Sequence, residues 1–481
     1  MEGTNVSTAI QQLPSYLEAF LQLQQQSPVH RQESWLRGVR EDAFTSFCQL
    51  GFPTVHDEDW RFTSVAPIAQ TTFHLSEIPE DETDTVTEDD ISPYRLESLA
   101  AQLVFVNGRY VSRLSCLPAG HKGLQVSSLA EAMLKEREKI EPHLTRYTDS
   151  SKEAFTALNT AFFEDGAFVF LPRGLALQKP IYLLYLNTGS ETPRIANPRN
   201  LIMAGENSQG TILEDYVSLG VGVSFTNVVT EVVAGEQAVL HHYRIEREST
   251  EVFHVSTLSI QQGRSTTVNS HSVLTGGALV RNNIQPVLAG EGGNCLINGL
   301  FIGNGRQHLD NYMKVEHRSA HCASHQFYNG ILDGESRGVF HGRILVCKGA
   351  QQTDSKQTNR NLLLSDTAQM DTKPQLEIFA DDVKCTHSAT IGQIDEEALF
   401  YLRSRGLDEA AAEGLLLFAF ASECLERMNP GLIRNYLAKI IMRALPQAKQ
   451  SEAALWAQLP TASAPWLLVS MLPSSVKTFP R

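Results

Sequence analysis

Cysteine is scarce in this chain. There are seven in 481 residues, an odd number, at 48, 116, 295, 322, 347, 385 and 424. That count and scatter exclude a disulfide framework, and no paired C-x-x-C offers a closed zinc site. Long apolar runs are also missing. The densest, Gly414–Ala421, is too short to span a bilayer, so no membrane segment is expected. The first twenty residues carry neither a basic n-region nor an apolar core, which argues against a signal peptide and for a cytoplasmic protein. Basic charge is in deficit, 40 Lys and Arg against 54 Asp and Glu. A general nucleic-acid binder needs a basic face, so that class is not expected. The chain has no P-loop, no G-x-G-x-x-G opening a helix after a strand, no H-E-x-x-H and no G-x-S-x-G, so an enzyme acting alone is unsupported.

What is present falls into three parts. Residues 1 to about 50 have helical periodicity, with Leu17, Phe20 and Leu21 on one apolar face. Trp35, Leu36, Val39, Ala43, Phe44 and Phe47 form another. DEDWRFT (57–63) is aperiodic. From Glu77 to Asp90 eight of fourteen residues are acidic, as in a solvated linker. Asn107-Gly108 inside LVFVNGRYV predicts a hairpin. Residues 127–165 read as helical, with Ala130, Met133 and Leu134 on one face.

From Phe168 to about Ile378, strand-like runs end repeatedly in Gly or polar turns. Gly205, Gly235, Gly263 and Gly290 recur at steps of 30, 28 and 27, with Gly334 two shorter steps on. Two strands per near-constant period predict a stacked β-solenoid, an antiparallel sandwich being the alternative. After Asp395 the period turns helical. Asp395 and Asp408 are expected N-caps and Gly406 a stop. A third helix follows Asn429-Pro430, with Ile433, Tyr436, Leu437, Ile440 and Ile441 on its apolar face. The expected organisation is 1–165 mostly helical, 166–392 the β-helix core and 393–481 helical. The apolar segment Trp466–Leu472 lies in the weakly patterned tail.

Three groups could carry chemistry. Cys385 and His387 lie two apart on a predicted strand and so share a face. A thiolate and an imidazole together suit iron or iron–sulfur ligation, or a nucleophilic pair; on spacing alone a buried Cys beside a hydrogen-bonded His explains them better. His321, Cys322 and His325 hold three metal-type donors in five residues, but strand geometry puts Cys322 on the opposite face from the two histidines. His241, His242, His254 and His271 could line one solenoid face and are assigned no role.

The run GRILVCKGAQQTDSKQTNRNLLLSDTAQMDTKPQLEIFADDVKCTHSATIGQIDEEALFYLRSRGL (342–407), with DEDWRFT and FVFLPRGLALQKPIYL, resembles the SufB/SufD family of iron–sulfur cluster assembly scaffolds. The resemblance covers nearly the whole chain. It is nearer the SufD side. Ser365 stands where SufB carries a cysteine, Ser388 where SufB carries a glutamate, and Cys385-Thr386-His387 matches the SufD pattern. The resemblance implies a right-handed parallel β-helix flanked by helical domains. It implies a non-catalytic subunit that pairs with a SufB-like paralogue and binds the SufC ATPase through about 390–445. A nascent Fe–S cluster or iron would be held at the SufB–SufD interface, with His387 and Cys385 as candidate ligands. Flavin binding, and homodimerisation of the isolated chain, stay open. The rival reading is a solitary β-helix carbohydrate-active enzyme or a metal-binding protein.

Overall fold

The structure is a computed structural model and describes residues 15–25, 34–75, 85–117, 120–429 and 431–446. Its centre is a parallel β-helix of two long sheets. One runs, from its end inward, through Gln369–Ile378, Arg337–Val346, His308–His317, Leu279–Leu288, Val252–Gln262 and Ser224–Ala234. The other runs through Val383–Gly392, Thr353–Leu363, Ala323–Leu332, Asn294–Gly303, Thr267–Leu274, Val239–Arg247 and Gln209–Ser218. The chain alternates between the sheets, so each coil adds one strand to each, in parallel register with the coil before. The sandwich alternative is thereby excluded.

Both strand faces are apolar because both are covered. Inward residues such as Ile212, Leu240, Val268, Cys295, Ile297 and Ile344 stack into a continuous lumen core. The outer face of the second sheet, including Leu213, Tyr243, Val273 and Ile331, packs against Leu416, Phe420, Leu437 and Ile441 of the C-terminal helices. The outer face of the first, through Phe225, Val255 and Leu279, packs against Phe44, Phe47, Phe155 and Phe162 from the N-terminal helices.

The corners explain the repeat. Gly235 stacks on Gly205, Gly263 on Gly235 and Gly290 on Gly263, so closely that a Cβ would meet neighbouring backbone at 3.0 Å or less. Two residues further on, each coil turns through a left-handed residue. Asn207, Gln237, Ser265, His321 and Gln352 have φ between 53° and 59°, and Gly292 has 71°. Their N–H groups donate to the next coil, as Gln237 to Arg264 O at 2.8 Å and His321 to Gln351 O at 2.9 Å. Gly334 does not belong to this column. It packs on Gly305 at a different corner, which is why its spacing is out of step.

The hairpin forms as expected, with Phe105 opposite Tyr110 and left-handed Asn107 and Gly108. Its first strand, Ala101–Val106, pairs in parallel with Ile181–Asn187, so the second sheet begins well before Phe168. Two apolar faces are set differently from the sequence pattern. In the helix at 15–25 Tyr16 and Phe20 are buried, whereas Leu17 and Leu21 are about half exposed. The buried stripe is one residue out of phase because it follows the aromatic cluster around Phe47 and Phe162. Within 127–165 the structure is broken into Leu129–Lys135, Arg137–Ile140 and Ala154–Phe162; Leu129, Ala132 and Met133 face inward and Leu134 outward. The acidic run ends in a capped helical turn, Glu88–Ile91, with a Thr87–Asp90 capping box; its 76–84 portion lies outside the described residues.

Asp395 and Asp408 cap Glu396–Ser404 and Glu409–Glu426 as expected, and Gly406 takes φ 96° between them. The third helix, Leu432–Ala444, starts from Gly431. Asn298 and Asn329 donate to Cys424 O and Phe420 O at 2.8 Å, fastening the second helix to the sheet. Residues 447–481, Trp466–Leu472 included, lie outside the described residues.

Candidate functional site at the open end of the β-helix

The last coil differs from those beneath it. Among the described residues Gln369–Ile378 and Val383–Gly392 each pair on one side only, with Arg337–Val346 and Thr353–Leu363. The second is mostly exposed and the first half-buried, whereas the strands below them are mostly buried. Their free edges present unpaired backbone groups to solvent.

Register decides where Cys385 and His387 project. Cys385 lies in line with Ser355, Ser324, Cys295 and Val268. His387 lies in line with Gln357, Gln326, Ile297 and Ser270. Both columns contain lumen-core residues, so the two side chains sit on one face over the open lumen. Cys385 is partly buried against that core. Its thiol is pushed up from the usual range, first by burial and then by the Asp354 charge, against a hydrogen bond from the Ser355 backbone. His387 is exposed and has no hydrogen-bond or ion-pair partner among the described residues.

Beneath the pair the lumen turns polar. Ser355 Oγ lies 2.9 Å from Ser324 Oγ, which lies 2.8 Å from His317 Nε2. Gln357 Nε2 donates to Gln326 Oε1 at 2.8 Å. Ser324, Ser355, Gln326, Gln357 and His317 are all buried. Beside the site Glu58, from the DEDWRFT segment, accepts from Lys373 Nζ at 2.9 Å and Gln375 Nε2 at 3.2 Å. The N-terminal motif thus holds the terminal strand.

His321, Cys322 and His325 do not converge. His321 is the exposed left-handed corner residue. Cys322 points into the core with its Sγ near Gly290 O. His325 is exposed on the outer face, 3.6 Å from Asp354. The other four histidines do not all share one face either. His242 sits in a lumen column 3.3 Å from Glu214, while His241 bonds Asn429 of the C-terminal region and His271 stacks on Tyr243 of the outer-face cluster. Ser365 caps a turn, donating to Gly334 O at 2.6 Å.

A further buried cluster escaped the sequence pattern. Glu246, Glu248 and His254 place one donor atom each within 4.8 Å of the others. The cluster is largely satisfied internally. His254 Nδ1 lies 2.7 Å from Glu248, Thr226 donates to Glu248, and Glu246 accepts from the Glu248 and Gly276 backbones. Burial, and then the Glu248 charge, push the Glu246 carboxyl well above its usual range. The three residues come from two consecutive strands of opposite sheets and the corner that joins them, and the turn of that corner brings them together.

A two-sheet parallel solenoid clasped by helices, with thiol and imidazole donors at an open end, defines a scaffold-type protein. The family descriptions "SUF system FeS cluster assembly, SufBD core domain" and "SufBD protein N-terminal region" match residues 185–420 and 11–183. The chain is 34% identical over 418 residues to the iron–sulfur cluster assembly SufBD family protein slr0076 of Synechocystis, covering 85% of this chain and 91% of that one. It is 32% identical to the iron–sulfur cluster assembly protein SufD of Escherichia coli, covering 82% and 90%, and 24% identical to SufD of Bacillus subtilis, covering 89% and 97%. The chain belongs to the SufBD family of iron–sulfur cluster assembly proteins, and within it is SufD-like. No helix among the described residues is long and apolar enough to cross a membrane.

Proposed function

We propose that this chain is a non-catalytic scaffold subunit that pairs with a SufB-like paralogue through its open β-helix end and binds a SufC-type ATPase through about 390–445. A nascent Fe–S cluster is the cargo, built at the paralogue interface in the cytoplasm. His387 is the principal ligand this chain contributes and Cys385 the second. The organisation into 1–165, 166–392 and 393–481 belongs to the same reading.

One observation carries it. The coil bearing His387 and Cys385 has both strand edges free, so a second β-helix can abut it and complete both the sheets and the ligand set. A cluster under construction needs donors with open coordination positions, and an unpartnered imidazole is one. Burial and the Asp354 charge disfavour the Cys385 thiolate, so metal binding there would have to displace the thiol proton. The helix capped by Asp395 follows the ligand strand directly, which supports a link between the site and the ATPase-docking region that begins there. Movement of one subunit would open the shared site, coupling hydrolysis to release.

Affinity-tagged chain co-expressed with the SufB-like and SufC-like proteins should recover both at stoichiometric levels. Recovery of neither would overturn the assignment.

A further inference from the structure

The amide ladder beneath His387 is directional. Gln357 Nε2 donates to Gln326 Oε1. The leftover donor, Gln326 Nε2, lies at the inner end, and the leftover acceptor, Gln357 Oε1, at the outer end; both are buried without a partner. The next residue in that column is His387. Adjacent strands stand about 4.8 Å apart, so in-register side chains on one face are within hydrogen-bonding reach.

Room for the ladder is built into the opposite sheet. In the first sheet's matching column, Leu258, Ile284 and Met313 fill the lumen, but the next coil has Gly342. A Cβ there would lie 1.7 Å from Gln357 Nε2. Gly342 therefore lets the Gln357 amide cross the lumen and bond Gln326, which leaves Oε1 for the terminal coil. A buried amide oxygen without a donor is costly, and His387 is the residue in register beside it on the terminal strand.

We infer that Gln357 is a positioning residue for His387: its Oε1 accepts the Nδ1–H, fixing the tautomer that leaves Nε2 free to bind metal. The inference rests on the proposed ligand role of His387. A hydrogen-bonded second nitrogen fixes the tautomer and raises the basicity of a histidine ligand.

The test reads the tautomer directly. The full chain, labelled with 15N-histidine, is compared by long-range proton–nitrogen correlation in mildly alkaline buffer, with His387 assigned from the signal lost in His387→Ala. The expected result is the Nδ1–H form in the parent and a shift toward the Nε2–H form in Gln357→Leu. Gln357→Glu keeps the acceptor and should restore the Nδ1–H form. Gly342→Ala leaves both partners in the chain but displaces the amide, and should reproduce the Leu result; it serves also where Gln357→Leu does not fold. In the assembled complex, Gln357→Leu should weaken iron binding by about 10- to 100-fold. An Nε2–H form in the parent, or one unchanged by these variants, overturns the inference. The tautomer does not depend on cluster loading. If His387→Ala left cluster yield intact, the ligand role would fall while the tautomer result stood.

Discussion

The middle coils and the last coil share one backbone plan and differ in what surrounds it. Around Arg244 the lumen is closed. Glu214 is fully buried and accepts from Arg244 at 2.9 and 3.1 Å, and strands pair on both sides. At His387 the same lumen ends in solvent and the strand pairs on one side. A solenoid coil cannot bury its own faces. The middle coils are therefore stabilised by their neighbours, and the last has edges and donors that no described residue completes. Substitutions should divide accordingly, with stability lost in the middle and cargo lost at the end.

The largest stability loss is expected from Arg244→Ala. It strands the Glu214 carboxylate in the lumen, and breaking a buried pair from one side costs about 3–5 kcal/mol. The midpoint of chemical unfolding should fall accordingly. A change no larger than that of a surface variant would mean that water reaches the middle lumen and would erase the contrast.

Acid should act on the closed coils next. Burial holds His271 down at about 3 and His317 at about 4, against about 6.5 for an unfolded histidine. Between those values the unfolded chain binds more protons, so stability falls as pH drops from about 6.5 toward 4, on the order of a few kcal/mol. The Glu246 carboxyl, raised when folded, works in the opposite sense and offsets part of this. Melting temperature against pH measures the net slope, and His317→Gln should flatten it.

The solenoid was legible because alternation and corner glycines recur at coil spacing. Gly205 to Gly290 revealed the period since only glycine tolerates backbone stacked that closely. The other corner column was not legible, because Asn207, Gln237, Ser265, His321 and Gln352 meet the same left-handed requirement with four different kinds of side chain. His321 therefore looked like a ligand and is a turn residue. Leu17 and Leu21 were misplaced by one residue of helical phase, which a distant aromatic cluster decides. Cys385 and His387 stood out through family resemblance and strand alternation together. Gln357 and Gly342 did not, since their relation to His387 exists only in the register between strands about thirty residues apart.

A matched pair of glycines gives a smaller and cleaner contrast. A Cβ on Gly330, in a covered strand, would lie 2.3 Å from the Phe301 ring and 2.6 Å from Asn361 Oδ1. Gly330→Ala should destabilise by about 1–3 kcal/mol through overpacking. On Gly392, in the terminal strand, a Cβ meets nothing within 4 Å, and Gly392→Ala should stay within about 0.5 kcal/mol. Equal unfolding shifts for the two would show that the terminal strand is covered in solution, as by a second copy of the chain.

A small stability effect should accompany the largest effect on cargo. His387 is exposed, and the one bond inferred for it is from Nδ1–H to Gln357 Oε1, which water can replace at the open end, so His387→Ala should lower unfolding free energy by no more than about 1 kcal/mol. Its complex should assemble with normal stoichiometry and carry less iron and sulfide. Cys385→Ser removes a thiol that packs on the core and should cost more stability than His387→Ala, so a cluster loss there is ambiguous by itself. The histidine is the sharper probe because structure and ligand roles separate at that position. Undiminished cluster yield with His387→Ala would refute the ligand role. Reduced yield together with a several-degree fall in melting temperature would place His387 with the packed coils instead.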